Sequence, residues 1–263
     1  MMIWNGLWKK EWLLMRGWFY GTAIAAVTTS LFIPLLLIYF LGLKIEGVDS
    51  SFYFLALLWM SVSVFVPLSL IITSINVEIS RPDVWLHTPA SIYQLFGVKI
   101  IFALFIGVIN FALSIVSFMI LLKISNALTE MMGRGELFLF LIKFLSVLLL
   151  FAFIVLIIGL FFRVLYLVLK PYLKSLTAIS TIILFFIFMS VTTWISSTEL
   201  YMKIASFGRI KGYSGQDFRF GDGFSYIEID EAYFRIGEIS LTLAFGILLF
   251  FVSTMLFEKK VRL

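Results

Sequence analysis

The side chains that could do chemistry in this chain are few and poorly placed for it. There is one histidine, His87, and no cysteine. A lone imidazole supplies neither a His–Glu–His metal set nor a nucleophile's base within a larger constellation. Without thiols there is no disulfide framework, thiol nucleophile or cysteine zinc site. No Gly-x-x-x-x-Gly-Lys-Ser/Thr loop occurs, so ATP is not bound by that route. The centres of the long apolar stretches hold no Asp, Glu, Lys, Arg or His. Ion-coupled transporters and pumps need such groups near the bilayer midplane. Energy for any uphill movement must therefore come from another chain. Asn110 is a polar exception, and a helix–helix hydrogen bond is favoured there over a substrate ligand.

A paired acid with a following arginine, Asp230-Glu231-Ala232-Tyr233-Phe234-Arg235, is similar to a motif of membrane-embedded proteases. That chemistry needs histidines on later spans, and none follows. The segment reads instead as a solvated external stretch. No enzyme activity, cofactor or metal is expected of this chain.

The elements that must position the remaining residues are membrane spans. Hydrophobic residues make up 62% of the 263 and charged residues 13%, with 30 Phe. So few charges cannot cover a soluble surface. The expected fold is an all-α, polytopic membrane protein. A hydrocarbon core about 30 Å thick needs roughly 20 apolar residues per helix. Six stretches qualify, near 18–41, 53–77, 98–122, 137–162, 175–195 and 239–257. Pro34 and Pro67 fall inside the first two and predict kinks.

An even count puts both termini on one side. With the termini inside, the inner segments carry Lys9, Lys10, Arg16, Arg81, Lys99, Arg163, Lys170, Lys174, Lys259, Lys260 and Arg262. The short outer loops carry only Lys44, Lys123, Arg134 and Lys143. The positive-inside rule then predicts cytoplasmic termini. Lys99, Lys143 and Arg163 lie near span ends, where long side chains can reach the headgroups. The net charge of +5 records topology, with no basic, aromatic-interleaved run to suggest nucleic acid.

Four segments carry further information. Residues 1–17 read as an amphipathic interfacial elbow helix that turns into the first span. Trp4, Trp8, Trp12 and Met15 form its apolar stripe, with Leu7 beside them and Lys9 and Lys10 off it. It is either a simple lipid anchor or an anchor that also touches a cytoplasmic partner. Gly17, Gly21, Ala25 and Thr29 recur every fourth residue. Small residues so spaced let two helices approach closely, either between two copies of the chain or within one.

The inner connection 78–92 contains Glu78, Arg81, Pro82, Asp83, Trp85, Leu86, Thr88 and Pro89. Pro82 suits the first turn of a short helix, Pro89 closes it, and Ser91 can cap the next span. The outer segment 196–238 alternates apolar and polar residues through Phe218, Phe220, Asp222, Gly223, Phe224 and Tyr226. Its Asp-Gly predicts a β-hairpin before the last span, either a surface ornament or a cap over an exit.

The short-helix loop followed by Thr88-Pro89-x-Ser91-x-x-Gln94-Leu95-x-x-x-Lys99 resembles the first intracellular loop of ABC type-2 exporter permeases. The amphipathic start, six spans, large outer segment and Glu258-Lys259-Lys260-Val261 ending are similar too. Where family members often have Gly-Thr before the loop helix, Arg81-Pro82-Asp83 stands here. The resemblance implies a single transmembrane domain over 1–263 in the bacterial cytoplasmic membrane. It implies pairing with a second permease copy or relative and with two cytoplasmic ATPases, which hold the ATP and Mg. The 78–92 loop would be the coupling element. Hydrophobic or amphipathic cargo, such as a peptide, lipid or drug, would leave outward. The rival expectation is a non-transporting membrane sensor or an immunity protein that binds an amphipathic peptide.

Overall fold

The computed structural model describes residues 2–40, 58–80, 90–124, 134–210, 218–219, 228–229 and 234–260. These are predominantly helical. Five helical stretches are long and apolar enough to cross a membrane: Trp4–Phe40, Leu58–Ile79, Ile92–Leu121, Phe144–Ser196 and Ile236–Lys259. Apolar helices in that number mark a multi-pass membrane protein. The chain divides into two compact units. One comprises Met1–Ser74, Gly97–Phe153 and Gln216–Asp230; the other comprises Ile75–Phe96, Ile154–Gly215 and Glu231–Leu263.

In the first unit the N-terminal segment corrects an expectation. Helix α1, Met2–Val27, runs without interruption through Gly17, so the expected turn from an interfacial elbow into the span is absent. The reason is local. No proline or capping residue interrupts Leu13–Tyr20, and a single glycine costs a helix only about 1 kcal/mol. A π-helical turn, Thr28–Phe32, then leads into α2, Ile33–Phe40. Pro34 has no N–H to give the preceding turn and crowds its carbonyl, which the wider turn accommodates. The Thr29 hydroxyl donates to the Ala25 carbonyl at 2.6 Å, and Ser30 donates to that of Ala26.

Pro67 is handled differently. A tight 3-10 turn, Ser63–Phe65, precedes it, and α3 follows over Val66–Ile79. The proline ring seats directly on Gly107 of α4, Ile92–Ile124: a Cβ added at Gly107 would lie 2.7 Å from Pro67 Cγ. Close by in sequence, the Ser63 hydroxyl donates to Asn110 Oδ1 at 3.3 Å, and both residues are buried. Asn110 thus makes the helix–helix hydrogen bond expected of it. The tryptophan stripe packs on α4 as well. Trp8 meets Phe102 and Phe105 edge-on, at 5.3 and 5.8 Å between ring centres.

In the second unit α4 opens on a capping box, in which two side chains satisfy each other's backbone donors. Gln94 N–H donates to Ser91 Oγ at 3.3 Å, and Ser91 N–H donates to Gln94 Oε1 at 3.2 Å. Helix α5 spans Arg134–Leu173, a 3-10 turn covers Lys174–Leu176, and α6 spans Thr177–Ser196. Lys174 takes a positive φ of 46°, a left-handed conformation that breaks helical continuity. Phe162 of α5 lies 5.2 Å from Phe185 and 5.4 Å from Phe188 of α6, between ring centres. Phe188 in turn stacks on Phe245 of the last helix, α8, Ile236–Lys260.

A short helix α7, Glu199–Ala205, is capped by Thr198, whose hydroxyl accepts from Tyr201 N–H at 3.4 Å. Its end meets the start of α8 at Gly237, where an added Cβ would lie 2.0 Å from the Ile204 carbonyl oxygen. Strand β1, Arg209–Ile210, pairs antiparallel with β4, Phe234–Arg235. In the first unit β2, Phe218–Arg219, pairs antiparallel with β3, Glu228–Ile229, in the register Phe218↔Ile229. The Asp222-Gly223 turn of the expected hairpin, with Phe220, Phe224 and Tyr226, lies outside the described residues.

Candidate functional site

The most polar place in the first unit is a buried ring of three side chains from three helices. Glu11 of α1, Ser74 of α3 and Lys99 of α4 are 3%, 2% and 2% exposed. Lys99 Nζ donates to Glu11 Oε1 at 2.6 Å and also to Ser74 Oγ. Ser74 Oγ donates to Glu11 Oε2 at 2.7 Å. Both carboxylate oxygens are therefore engaged, and the serine links the two charges.

Burying such charges is tolerable because they cancel and share hydrogen bonds. Leu7 and Met15, one turn to either side of Glu11, are buried on the same face of α1. This corrects the placing of Lys99: its ammonium is folded into the protein beside Glu11 and does not reach toward headgroups.

Sequence reasoning did not find this ring. The signal was present in Glu11, the only acid in the first 40 residues, set in an apolar stripe between Leu7 and Met15. It was matched by Lys99, the one charged residue from Leu95 to Leu122.

The second unit holds a smaller polar pair. Arg163 Nη2 donates to Asn76 Oδ1, and the guanidinium sits 5.1 Å from the centre of the Tyr166 ring. Arg163 lies within the continuous α5 helix and bonds to protein, where sequence reasoning placed it near a span end.

The predicted site residues fall as follows. Glu78 is buried near the end of α3. Arg81, Pro82, Asp83, Trp85, Leu86, Thr88 and Pro89 lie outside the described residues. Gly17 and Gly21 are exposed, and an added Cβ at either meets no described atom within 4 Å. Ala25 and Thr29 are half-buried. The small-residue face is thus open at its glycine end. Among the described residues no group of three or more His, Asp or Glu could hold a metal ion. The ring ties three helices together, and its serine, carboxylate and ammonium are all engaged with one another.

Comparison with known protein families, curated proteins and solved structures finds no match.

Proposed function

We propose that this chain is the membrane-spanning permease subunit of an ABC exporter in a bacterial cytoplasmic membrane. It moves hydrophobic or amphipathic cargo outward on ATP hydrolysed by a separate subunit. The observation that carries this reading is the relation of the Glu11–Ser74–Lys99 ring to the loop that resembles a coupling element. Ser74 belongs to the helix that enters that loop, Lys99 to the helix that leaves it, and Glu11 to the N-terminal helix.

The span count fits the same reading. As one straight helix Phe144–Ser196 would be about 80 Å long, against a hydrocarbon core near 30 Å. With Phe162 set against Phe185 and Phe188, we count it as two crossings, six in all. Both termini are then cytoplasmic, and the segment before α8 is external, with a hairpin around Asp222-Gly223.

Affinity purification of the full chain from its native membrane tests the proposal. The expected result is a stoichiometric phosphate-loop ATPase and a second permease chain. Recovery without any ATPase, from membranes where one is expressed, would favour the sensor or immunity reading.

A further inference from the structure

We propose that residues 194–208, together with Arg235, form a phospholipid-binding surface set in the headgroup layer at one end of the second unit. The proposal rests on α6 and α8 as membrane spans, and not on the exporter reading. Its first support is depth. Helix α6 has 20 residues, about 30 Å of helix, which matches one hydrocarbon thickness. Phe188 of α6 stacks on Phe245 of α8 at 6.0 Å between ring centres. Measured from that contact, α6 ends roughly 12 Å away at Ser196 and α8 begins roughly 14 Å away at Ile236. The segment carrying α7 ties these two ends together. Ile236 N–H donates to the Gly208 carbonyl at 2.9 Å, and Gly237 N–H donates to that of Phe207 at 3.0 Å. Helix α7 is therefore held at the level where both spans leave the hydrocarbon.

The second support is what stands bare at that level. Trp194, Leu200 and Phe207 are 70%, 71% and 73% exposed, and Ile204 and Ile236 are exposed beside them. Apolar side chains gathered so closely mark a contact surface. At the end of a span, with a tryptophan among them, the partner they fit is the acyl–headgroup boundary. Helix α7 is built for that boundary. Leu200 and Ile204, one turn apart, share one side of it, and Glu199 and Lys203 share another. Ala205 is buried where the helix meets α8. Basic groups complete the surface. Lys203 and Arg235 are exposed, and the strand register sets Arg209 opposite Arg235. With Glu199 and Glu238 at the same level, the described residues there carry three cations against two acids. That balance favours phosphate-bearing headgroups, anionic ones above all.

The chain has no native cysteine, so one fluorophore can be placed at a time. Leu200→Cys and Phe207→Cys are coupled to a nitrobenzoxadiazole dye, with Glu199→Cys as the reference on the other side of α7. The full chain is reconstituted into vesicles of phosphatidylcholine and phosphatidylglycerol. Lipids bearing a nitroxide near the acyl carbonyls quench the dye from the membrane, and iodide quenches it from water.

At Leu200→Cys and Phe207→Cys the nitroxide lipid should quench, and iodide should act about fivefold or more weakly than on the free dye adduct. Iodide should reach Glu199→Cys more readily than either. Moving the nitroxide from phosphatidylcholine to phosphatidylglycerol should raise quenching at Phe207→Cys by about twofold, and Lys203→Gln with Arg235→Gln should abolish the rise. Iodide quenching at the free-dye level would put the surface in water and overturn the proposal. Protection from iodide without nitroxide quenching would assign the surface to a protein partner or a second copy, and overturn it equally. Equal quenching by the two labelled lipids would sink the headgroup role of Lys203 and Arg235. If either labelled variant fails to reconstitute, exposed Ile204→Cys takes its place under the same criteria. ATPase co-purification plays no part here, so this surface and the exporter reading fail separately.

Discussion

Glu11 and Lys99, 88 residues apart in the chain, meet at 2.6 Å with both side chains buried. The contact pins the first helix to the one that opens after the 81–89 loop. Its energetics are asymmetric. Glu11→Ala leaves a buried ammonium without its carboxylate and should destabilise the protein by about 3–5 kcal/mol. Glu11→Leu with Lys99→Met should fall within about 1 kcal/mol of wild type or exceed it, since no charge is left buried. Thermal unfolding in one detergent, followed by tryptophan fluorescence, compares the two. Equal losses would mean that the pair is solvated and not buried as the geometry requires.

The ring of Pro67 seats directly on Gly107 of the facing helix. A methyl at Gly107 would come within 2.7 Å of a ring carbon that has little freedom to move. Gly107→Ala should therefore cost about 1–3 kcal/mol as the helices separate. Pro67→Ala removes the ring, so the double variant should recover much of that loss beyond additivity. Additive losses would show that Gly107 serves something other than this contact.

Much of this architecture was legible in local sequence. Pro34 and Pro67 announced departures from regular helix, and a π turn and a 3-10 turn stand beside them. Ser91 announced the start of α4, although its capping partner Gln94 went unnoticed. What could not be read was pairing across distance. Nothing local tells Glu11 that its partner is Lys99, because a lone charge in an apolar segment is equally consistent with a snorkelling side chain. The uninterrupted α1 was missed for a related reason. The stripe of Trp4, Trp8 and Trp12 suits a headgroup layer as well as it suits packing on Phe102 and Phe105. Further along the chain, Lys174 adopts a positive φ with no glycine to advertise it.

Gly237 is placed where only hydrogen fits. Its N–H donates to the Phe207 carbonyl at 3.0 Å, and an added Cβ would lie 2.0 Å from the Ile204 carbonyl oxygen. Backbone cannot yield as a flexible side chain does. Gly237→Ala should undock the 199–208 segment from the start of α8 and cost about 3 kcal/mol, at the upper end of overpacking effects. Limited proteolysis of the purified chain should then cut near Phe207 at least several-fold faster. A wild-type cleavage rate would contradict the contact.

The open face at Gly17 and Gly21 makes a clean dimer test. Neither position has a described neighbour within 4 Å of an added Cβ, so bulk there disturbs little within one chain. If two permease copies meet on this face, Gly21→Leu should weaken their association by roughly tenfold, through lost close packing. Crosslinking between differently tagged copies reads it. Unchanged crosslinking at normal expression would leave the face to lipid.

The last prediction follows the energy. If the chain is the exporter subunit proposed above, cargo movement draws on ATP bound by another chain, and one cytoplasmic connection receives that work. The connection bearing Trp85 and Leu86 joins α3 to α4, the helices that supply Ser74 and Lys99. Removing a hot-spot aromatic at an interface costs on the order of 2 kcal/mol or more, about thirtyfold in affinity. Trp85→Ala with Leu86→Ala should therefore leave insertion and thermal stability near wild type while releasing the ATPase or uncoupling its hydrolysis from cargo. Wild-type co-purification and cargo-stimulated hydrolysis in the loop variant would move the coupling role elsewhere, first to the segment around Arg163–Lys174 and then to the N-terminal helix.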